Sequence, residues 1–283
     1  MAQEKYVAYV GTYTHENSIG IHVYDIDMEK GKLTERSVAP ISNPSNIAVA
    51  HSGKYLYSIE DEGVASFSID ENGDLTKINQ AWIGGMRACY VEIDSNDRYR
   101  FLAGFHDGKV TMMRLNEDGS IAGIADGVFH QGVGKSSVEK RMDPRVSCTK
   151  LTPDEKYLCA VDWGLNQIKI YEVDYEESKL HLYDILRFPF NSAPRRIRFS
   201  KDGKFAYVLE ETTNMVDIYT YDLREGKPVF EKIKTTSVLE KEDSLASGSA
   251  LEFAPDGKYL YVSLDGANEV VCLAVGEDGL LSI

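Results

Sequence analysis

The chain has 283 residues, of which 43% are hydrophobic and 27% are charged, and its formal net charge at pH 7 is −14. This composition is that of an ordinary soluble globular protein. The sequence is acidic overall and shows no cluster of lysines and arginines, which excludes an extended nucleic-acid-binding surface. No apolar run approaches the length of a membrane span, so no membrane partner is expected.

The cysteines and the N-terminus indicate the compartment. The four cysteines have no C-x-x-C spacing, and each lies in or beside an apolar strand-like run: Cys89, Cys148, Cys159 and Cys272. We therefore expect buried free thiols in a reducing environment. Residues 1–5 have neither the basic nor the apolar region of a signal peptide. The sequence predicts a cytoplasmic protein.

The first elements set a pattern of short strands. Residues 6–14 are aromatic, β-branched and small, which predicts a strand. Residues 20–26 alternate apolar and polar side chains, and a charged turn at 29–32 leads into a strand that begins at Leu33. The same order of apolar strand, Asp/Glu/Gly turn and apolar-led strand returns along the chain. No long amphipathic helix is predicted.

One motif, a polar turn followed by an aromatic-led apolar run, recurs five times. The clearest copy is 154–162 (Asp-Glu-Lys-Tyr-Leu-Cys-Ala-Val-Asp), and a degraded copy is 96–103 (Asn-Asp-Arg-Tyr-Arg-Phe-Leu-Ala). The aromatic marker is spaced 44, 58, 48 and 54 residues apart, at Tyr55, Tyr99, Tyr157, Phe205 and Tyr259. Repeats near this period, made of short strands, are typical of propeller blades.

Each full repeat is interpreted as a blade of four antiparallel strands. The innermost strand is predicted just before each turn, at residues 46–50, 88–93, 146–152, 196–200 and 250–254. The sequence therefore predicts an all-β propeller of about six visible blade repeats, forming a single domain over residues 1–283. Two long segments, 126–143 and 232–249, break the period, and loops of such length are often functional.

The two ends of the repeat pattern are uneven. The first unit lacks an innermost strand, and the last unit stops on an outer strand at Leu280–Ile283. Either the chain forms an unclosed ring of six units, or it is shorter at its C-terminus than its relatives. We expect the C-terminal closing blade to be absent.

Several short motifs stand out along the chain: 9–14 (Tyr-Val-Gly-Thr-Tyr-Thr), Gly20-Ile21, Asn43-Pro44-Ser45, Asp162-x-Gly164, Pro194-Arg195, Glu211 after Tyr207-Val208-Leu209, and Gly132-Val133-Gly134 followed by basic residues and Pro144. Together they resemble one family, the lactonase-type seven-bladed propellers, which include bacterial 6-phosphogluconolactonases and are related to a fungal muconate-lactonising enzyme. The resemblance covers essentially the whole chain. It implies a propeller that hydrolyses a lactone without a metal or organic cofactor.

The chain departs from the family pattern where chemistry is expected. Relatives carry Pro-His at the start of the fourth inner strand, where this chain has Pro144-Arg145. They carry Pro-Arg-His before the fifth inner strand, where this chain has Pro194-Arg195-Arg196. An arginine does not lose its proton in proteins, so it cannot replace a histidine as a general base.

Four arginines are candidates for binding an anionic substrate group: Arg145, Arg195, Arg196 and, more weakly, Arg87. They flank inner strands, whose ends converge at one mouth of a propeller's channel. The planar guanidinium suits phosphate and carboxylate oxygens. The structural alternative is that these arginines form ion pairs with Asp162, Glu210 or Glu211 across neighbouring blades.

Three residues are candidates for acid/base catalysis: Glu211, Asp162 and His106. Glu211 and Asp162 follow the second strand of consecutive units, so each is either a base or an ion-pair partner of the arginines. His106 occupies the corresponding loop one unit earlier, and a solvated turn residue is its structural alternative. The other histidines, at 15, 22, 51, 130 and 181, are scattered without ligand spacing, so no metal site is expected. Trp82 and Trp163 are expected to pack within blades.

The preferred functional hypothesis is a lactonase acting on a sugar-derived lactone, with 6-phosphogluconolactone as the first candidate and an anionic small molecule as the partner. The alternative is a propeller that has lost catalysis and binds an anionic metabolite or a protein. Arginines at the two histidine positions motivate this alternative.

Overall fold

The structure is a computed structural model that describes residues 6–132, 143–241 and 245–283. The chain divides into two compact units, Met1–Phe129 and His130–Ile283, each containing three antiparallel sheets. No described residue is helical, and consequently no membrane-crossing helix occurs among them. The prediction of an all-β propeller with four-stranded antiparallel blades is confirmed.

The first unit contains one three-stranded sheet and two four-stranded sheets. In chain order its strands are β1 (Tyr6–Val10), β2 (Gly20–Asp27), β3 (Lys32–Pro40), β4 (Ile47–Val49), β5 (Tyr55–Glu60), β6 (Gly63–Ile69), β7 (Leu75–Ala81), β8 (Tyr90–Ile93), β9 (Tyr99–Ala103), β10 (Lys109–Leu115) and β11 (Ile121–Phe129). Neighbouring strands in the chain are neighbours in each sheet: β1-β2-β3, β4-β5-β6-β7 and β8-β9-β10-β11.

The second unit contains three four-stranded sheets with the same up-and-down order. Its strands are β12 (Val146–Leu151), β13 (Tyr157–Asp162), β14 (Gln167–Asp174), β15 (Lys179–Arg187), β16 (Pro194–Phe199), β17 (Phe205–Glu210), β18 (Met215–Arg224), β19 (Lys227–Ser237), β20 (Ser247–Phe253), β21 (Tyr259–Asp265), β22 (Glu269–Val275) and β23 (Leu281–Ser282). Each sheet begins with the strand that the sequence predicted to be innermost, within a few residues of the predicted bounds.

The recurring polar turn has one backbone geometry in all five copies. The amide of its fourth residue donates to the carbonyl three residues earlier, and that fourth residue has a positive φ: Gly53, Asp97, Glu155, Gly203 and Gly257. Glycine adopts this conformation without a steric penalty. The Asp-Gly-Lys form of the motif therefore follows from the turn itself, and two copies replace glycine with a residue that is strained there.

Replacing Glu155 with glycine is expected to stabilise the protein by about 0.5–1 kcal/mol, because it removes a side chain from a left-handed position. The φ of Glu155 is 56°. The matched control is Gly53→Glu, since Gly53 has a φ of 70° and open space around it, so only backbone strain changes. Urea unfolding of both variants should give shifts of opposite sign, and a destabilised Glu155→Gly would contradict this account.

Adjacent sheets within each unit are joined by a repeated tyrosine hydrogen bond. In the first unit Tyr9 donates its hydroxyl to the Gly73 carbonyl at 2.8 Å, and Tyr55 donates to the Glu117 carbonyl at 3.1 Å. The second unit has the same contact twice, from Tyr157 to Gly226 and from Tyr207 to Gly279. Each acceptor lies in the outer turn of the next sheet, and two of the donors, Tyr55 and Tyr157, are the aromatic marker of the repeat.

Two expectations about side chains are corrected by the structure, and one about a loop falls mostly outside the described residues. Trp82 is 69% exposed instead of packed within a blade. Cys148 and Cys159 are buried free thiols, but Cys89 is only partly buried and Cys272 is exposed. Most of the predicted loop 126–143, including Val133 and Gly134, lies outside the described residues. The single-domain assignment and the absent closing blade stay predictions.

Candidate functional site

The second unit brings one predicted arginine and one predicted carboxylate into direct contact. Arg195, at the start of β16, forms an ion pair through Nη1 with Glu211 Oε2, just after β17 in the same sheet. Arg195 Nε also donates to the Ser249 carbonyl at 3.0 Å. No described residue accepts a hydrogen bond from Arg195 Nη2, and the side chain is 30% exposed. Nε and Nη1 of this guanidinium are therefore fixed, and Nη2 is the nitrogen that has no acceptor among the described residues.

Glu211 is held by a second donor that the sequence did not reveal. Trp163 Nε1 donates to Glu211 Oε2 at 2.9 Å, so both side-chain hydrogen bonds reach the same oxygen. The Glu211 side chain is 19% exposed, and Oε1 receives no hydrogen bond from any described residue. The Glu211 amide donates to the Ala193 carbonyl at 2.9 Å, which anchors the backbone as well. The carboxylate is oriented through Oε2, and Oε1 has no donor among the residues that the structure describes.

Arg145 lies over the ring of the same tryptophan. Its guanidinium carbon lies 6.0 Å from the centre of the Trp163 ring, a cation–π geometry. Trp163 therefore joins Arg145 to Glu211 and is not simply a packing residue. The Asp162-x-Gly164 motif was the available signal, because it places this tryptophan between two residues of the family pattern.

Arg196 donates hydrogen bonds to backbone carbonyl oxygens. Its Nη1 donates to the carbonyl oxygens of Ser147 and, at 3.2 Å, Arg195. The Ser147 hydroxyl donates back to the Arg195 carbonyl at 2.9 Å. These reciprocal bonds tie the start of β12 to the start of β16, so Arg145, Arg195 and Arg196 share one end of two neighbouring sheets.

Asp162, a predicted catalytic base, is fully buried at the end of β13. Its Oδ1 accepts the amides of Arg145 at 2.9 Å and Leu165 at 3.0 Å, and its Oδ2 pairs with His130 Nδ1 at 2.7 Å. A carboxylate enclosed in this way does not meet solvent water. The geometry makes Asp162 an anchor for the surrounding backbone.

His130 was grouped with the scattered histidines, but its side chain is completely buried against Asp162. Burial lowers the pKa of His130 from its usual 6.5, and the Lys169 ammonium adds to this lowering, although the hydrogen bond and charge of Asp162 act in the opposite direction. The imidazole is thus neutral at pH 7, with its proton on Nδ1. Nothing in the local sequence marked it, because its partner lies 32 residues away.

The lowered pKa of His130 predicts that acid destabilises the second unit. Below pH 6.5 the unfolded imidazole binds a proton while the folded one remains neutral, so unfolding is favoured by up to about 1.4 kcal/mol for each pH unit until the folded pKa is reached. Denaturant unfolding between pH 7.5 and 5 should show this slope as about one proton. His130→Asn should lack it, and identical slopes in both proteins would contradict the assignment.

The two remaining predicted residues belong to the first unit. Arg87 donates Nη2 to the Asn43 carbonyl and to Ser45 Oγ at 2.9 Å, and its guanidinium lies 5.2 Å from the centre of the Tyr13 ring. Its Nε is 3.7 Å from Asp61 Oδ1. His106 is exposed in the turn after β9 and contacts the Phe105 ring edge-on. Arg87 thus has local partners, and the catalytic role of His106 stays a prediction.

The described ranges contain no group of three His, Cys, Asp or Glu side chains suited to holding a metal ion. The arrangement in the second unit instead combines guanidinium groups with one oriented, partly exposed carboxylate. Such a set can bind an oxyanion and accept a proton from water.

Comparison with known proteins identifies the relationship. A family profile described as a lactonase, 7-bladed beta-propeller, matches residues 7–283. The chain belongs to this family. This lactonase-family propeller is 32% identical over 283 residues to the 6-phosphogluconolactonase of Bacillus subtilis, an alignment that covers 96% of this chain and 78% of that protein.

Solved structures of similar proteins agree with the family assignment. The periplasmic gluconolactonase of Pseudomonas aeruginosa superposes with a TM-score of 0.88 at 28% identity, covering 98% of this chain and 81% of that one. A protein from Lactobacillus plantarum gives a TM-score of 0.86 at 28% identity, covering 99% and 81%. The resemblance found in the sequence is confirmed.

Proposed function

We propose that the protein is a lactonase that hydrolyses a sugar-derived lactone, with 6-phosphogluconolactone as the first candidate substrate. The family assignment supports the reaction class, and the names of two similar proteins, a 6-phosphogluconolactonase and a gluconolactonase, support a sugar lactone. The partner is then a small anionic molecule. Cytoplasmic location and the absence of a cofactor remain predictions.

The observation that carries this proposal is the orientation of Glu211. Trp163 and Arg195 both bind Oε2, so Oε1 is the oxygen that can accept a proton from water. Glu211 removes this proton while the water oxygen attacks the lactone carbonyl carbon. The ring ester C–O bond then breaks, and the proton passes from Glu211 to the departing ring oxygen. Asp162, which is enclosed, is assigned no part in these transfers.

The arginines supply positive charge around this carboxylate. Arg195 Nη2 is placed to bind a phosphate or carboxylate oxygen, because Nε is already fixed to Ser249 and Nη1 to Glu211. Arg145, lying over Trp163, adds charge that can stabilise the oxyanion formed on attack. Arg196 mainly holds the two inner strands in register.

A second candidate is a non-catalytic protein that binds an anionic metabolite. It is motivated by Arg145 and Arg196, which stand where the resemblance leads us to expect histidines. An Arg196→His variant separates the two candidates. A clear gain of lactonase activity over an inactive parent would support lost catalysis, whereas an active parent removes this alternative.

The direct test is hydrolysis of freshly prepared 6-phosphogluconolactone by the purified full-length protein, followed as acid release in a pH-stat. Spontaneous opening of the lactone in the same buffer is the control. The proposal expects enzyme-proportional acid release above this background. If neither the phosphorylated nor the unphosphorylated lactone is opened faster than in buffer, the proposal is wrong.

A further inference from the structure

A buried histidine–aspartate pair lies behind the candidate site in the second unit. The His130 and Asp162 side chains both have 0% exposure, and His130 Nδ1 is 2.7 Å from Asp162 Oδ2. Within the described part of the chain, His130 Nε2 has no hydrogen-bond partner. A buried carboxylate requires hydrogen-bond donors, and the imidazole is the only side chain that a described residue offers to Asp162.

The other oxygen of Asp162 holds the backbone of Arg145. Oδ1 accepts the Arg145 amide at 2.9 Å, and the Trp163 amide donates to the Arg145 carbonyl at 2.9 Å. Both polar backbone groups of Arg145 are thus bound by the last residue of β13 and the residue after it. Gly164 brings this segment into close contact, because a Cβ there would lie 1.9 Å from the Asp143 carbonyl oxygen.

The residues that hold the Arg145 backbone are also connected to the candidate base, Glu211. The Arg145 guanidinium lies over the Trp163 ring, and the same ring donates its N–H to Glu211. A continuous set of contacts therefore runs from buried His130 through Asp162 and Trp163 to Glu211. If Asp162 rotated, the backbone of Arg145 would lose its hydrogen bond, and the guanidinium over the Trp163 ring would lose its fixed position.

We propose that His130 is a positioning residue for the candidate site. Its neutral imidazole donates a hydrogen bond from Nδ1–H to Asp162 and so fixes the rotamer of Asp162. In this rotamer Asp162 binds the Arg145 amide and holds the neighbouring Trp163 in contact with Glu211. The catalytic part of this inference rests on the proposed lactonase function. The geometric part does not, since it concerns only the arrangement of Asp162, Arg145 and Trp163.

The geometric part is tested by fluorescence of Trp163 in a Trp82→Phe background, which leaves a single tryptophan. His130→Leu removes the donor, whereas His130→Asn places an amide N–H near the position of Nδ1. We expect the leucine variant to show a red-shifted emission and faster acrylamide quenching, and the asparagine variant to resemble the parent. Equal spectra for the leucine variant and the parent would overturn the proposal.

The catalytic part is tested with the same variants on 6-phosphogluconolactone. His130→Leu should lower kcat/KM by about tenfold to a hundredfold through a displaced site, and His130→Asn should recover most of that loss. A general loss of packing would affect both variants alike, and that result would contradict a positioning role. If the parent itself is inactive while the fluorescence responses appear, the proposed function fails and the positioning inference stands.

A third measurement is decided on the unaltered protein, with His130→Asn as the control that assigns the signal. Proton NMR of the unaltered protein at pH 7 should contain an imidazole N–H resonance downfield of the amide region and protected from exchange, as expected for a buried Nδ1 donor to a carboxylate. It should be absent from His130→Asn. A wild-type spectrum without such a resonance would overturn the proposal.

Discussion

Glu211→Gln is expected to lower kcat for lactone hydrolysis by about 10²- to 10⁴-fold, the usual effect of removing a general base. The amide oxygen can still accept the Trp163 N–H, so the tryptophan contact is preserved. The KM should change less, because the arginines remain. Steady-state kinetics on the freshly prepared lactone provide the measurement.

The matched control for this variant is Glu210→Gln. Glu210 precedes Glu211 directly but is buried on the other side of the strand end, where it accepts a hydrogen bond from Thr213. Burial, together with the nearby Asp217 carboxylate, raises the pKa of Glu210, although the Thr213 hydrogen bond opposes this. Activity should be nearly unchanged in Glu210→Gln. Equal losses of activity in the two variants would show that Glu211 is not the general base.

Arg100→Leu is expected to stabilise the protein by about 1–4 kcal/mol, because it removes a buried cation that has no acidic partner in the described part of the chain. Arg100 lies on β9 with 0% exposure. Its guanidinium contacts the Tyr57 ring at 5.3 Å and Met113 Sδ at 3.7 Å, and no described residue accepts a hydrogen bond from Nε or Nη1. Burial lowers the pKa of Arg100 to about 9, so it is still charged at pH 7.

The repeat itself suggests the replacement. The equivalent position of the other copies is apolar and buried in every case, at Leu56, Leu158, Ala206 and Leu260. Arg114→Leu, an exposed position on β10, is the control for loss of one positive charge and should change stability little. Denaturant unfolding should show a higher midpoint for Arg100→Leu alone. A lower midpoint would mean that the Arg100 guanidinium has hydrogen-bond partners in solution and that this account is wrong.

The blade pattern was predictable because it depends on local rules. A turn that requires a positive φ is visible as Asp-Gly-Lys at Gly203 and Gly257, and the apolar run that follows can only be a buried strand. Period and strand order follow from these units. The predicted strand 146–152 differs from the observed β12 by one residue at its C-terminal end.

The candidate site was only partly predictable, because its contacts join distant residues. The sequence identified Glu211 and Arg195 separately, but not that Trp163, 48 residues earlier, would fix the glutamate. The enclosure of Asp162 was invisible for the same reason, since His130 follows an outer strand and matches no motif. The sequence showed Arg100 only as a departure from the apolar pattern of the repeat. Its effect on stability was not predictable, because the free-energy cost of a buried charge depends on the residues around it.

The most direct test of the account is a competition between 6-phosphogluconolactone and the unphosphorylated gluconolactone in one reaction. Following both substrates by NMR gives the ratio of their kcat/KM values with the intact chain. The account predicts turnover that Glu211→Gln lowers by about 10²- to 10⁴-fold, together with a preference for the phosphorylated lactone because Arg195 Nη2 can bind the phosphate. Loss of both lactones at the rate of buffer alone would contradict it.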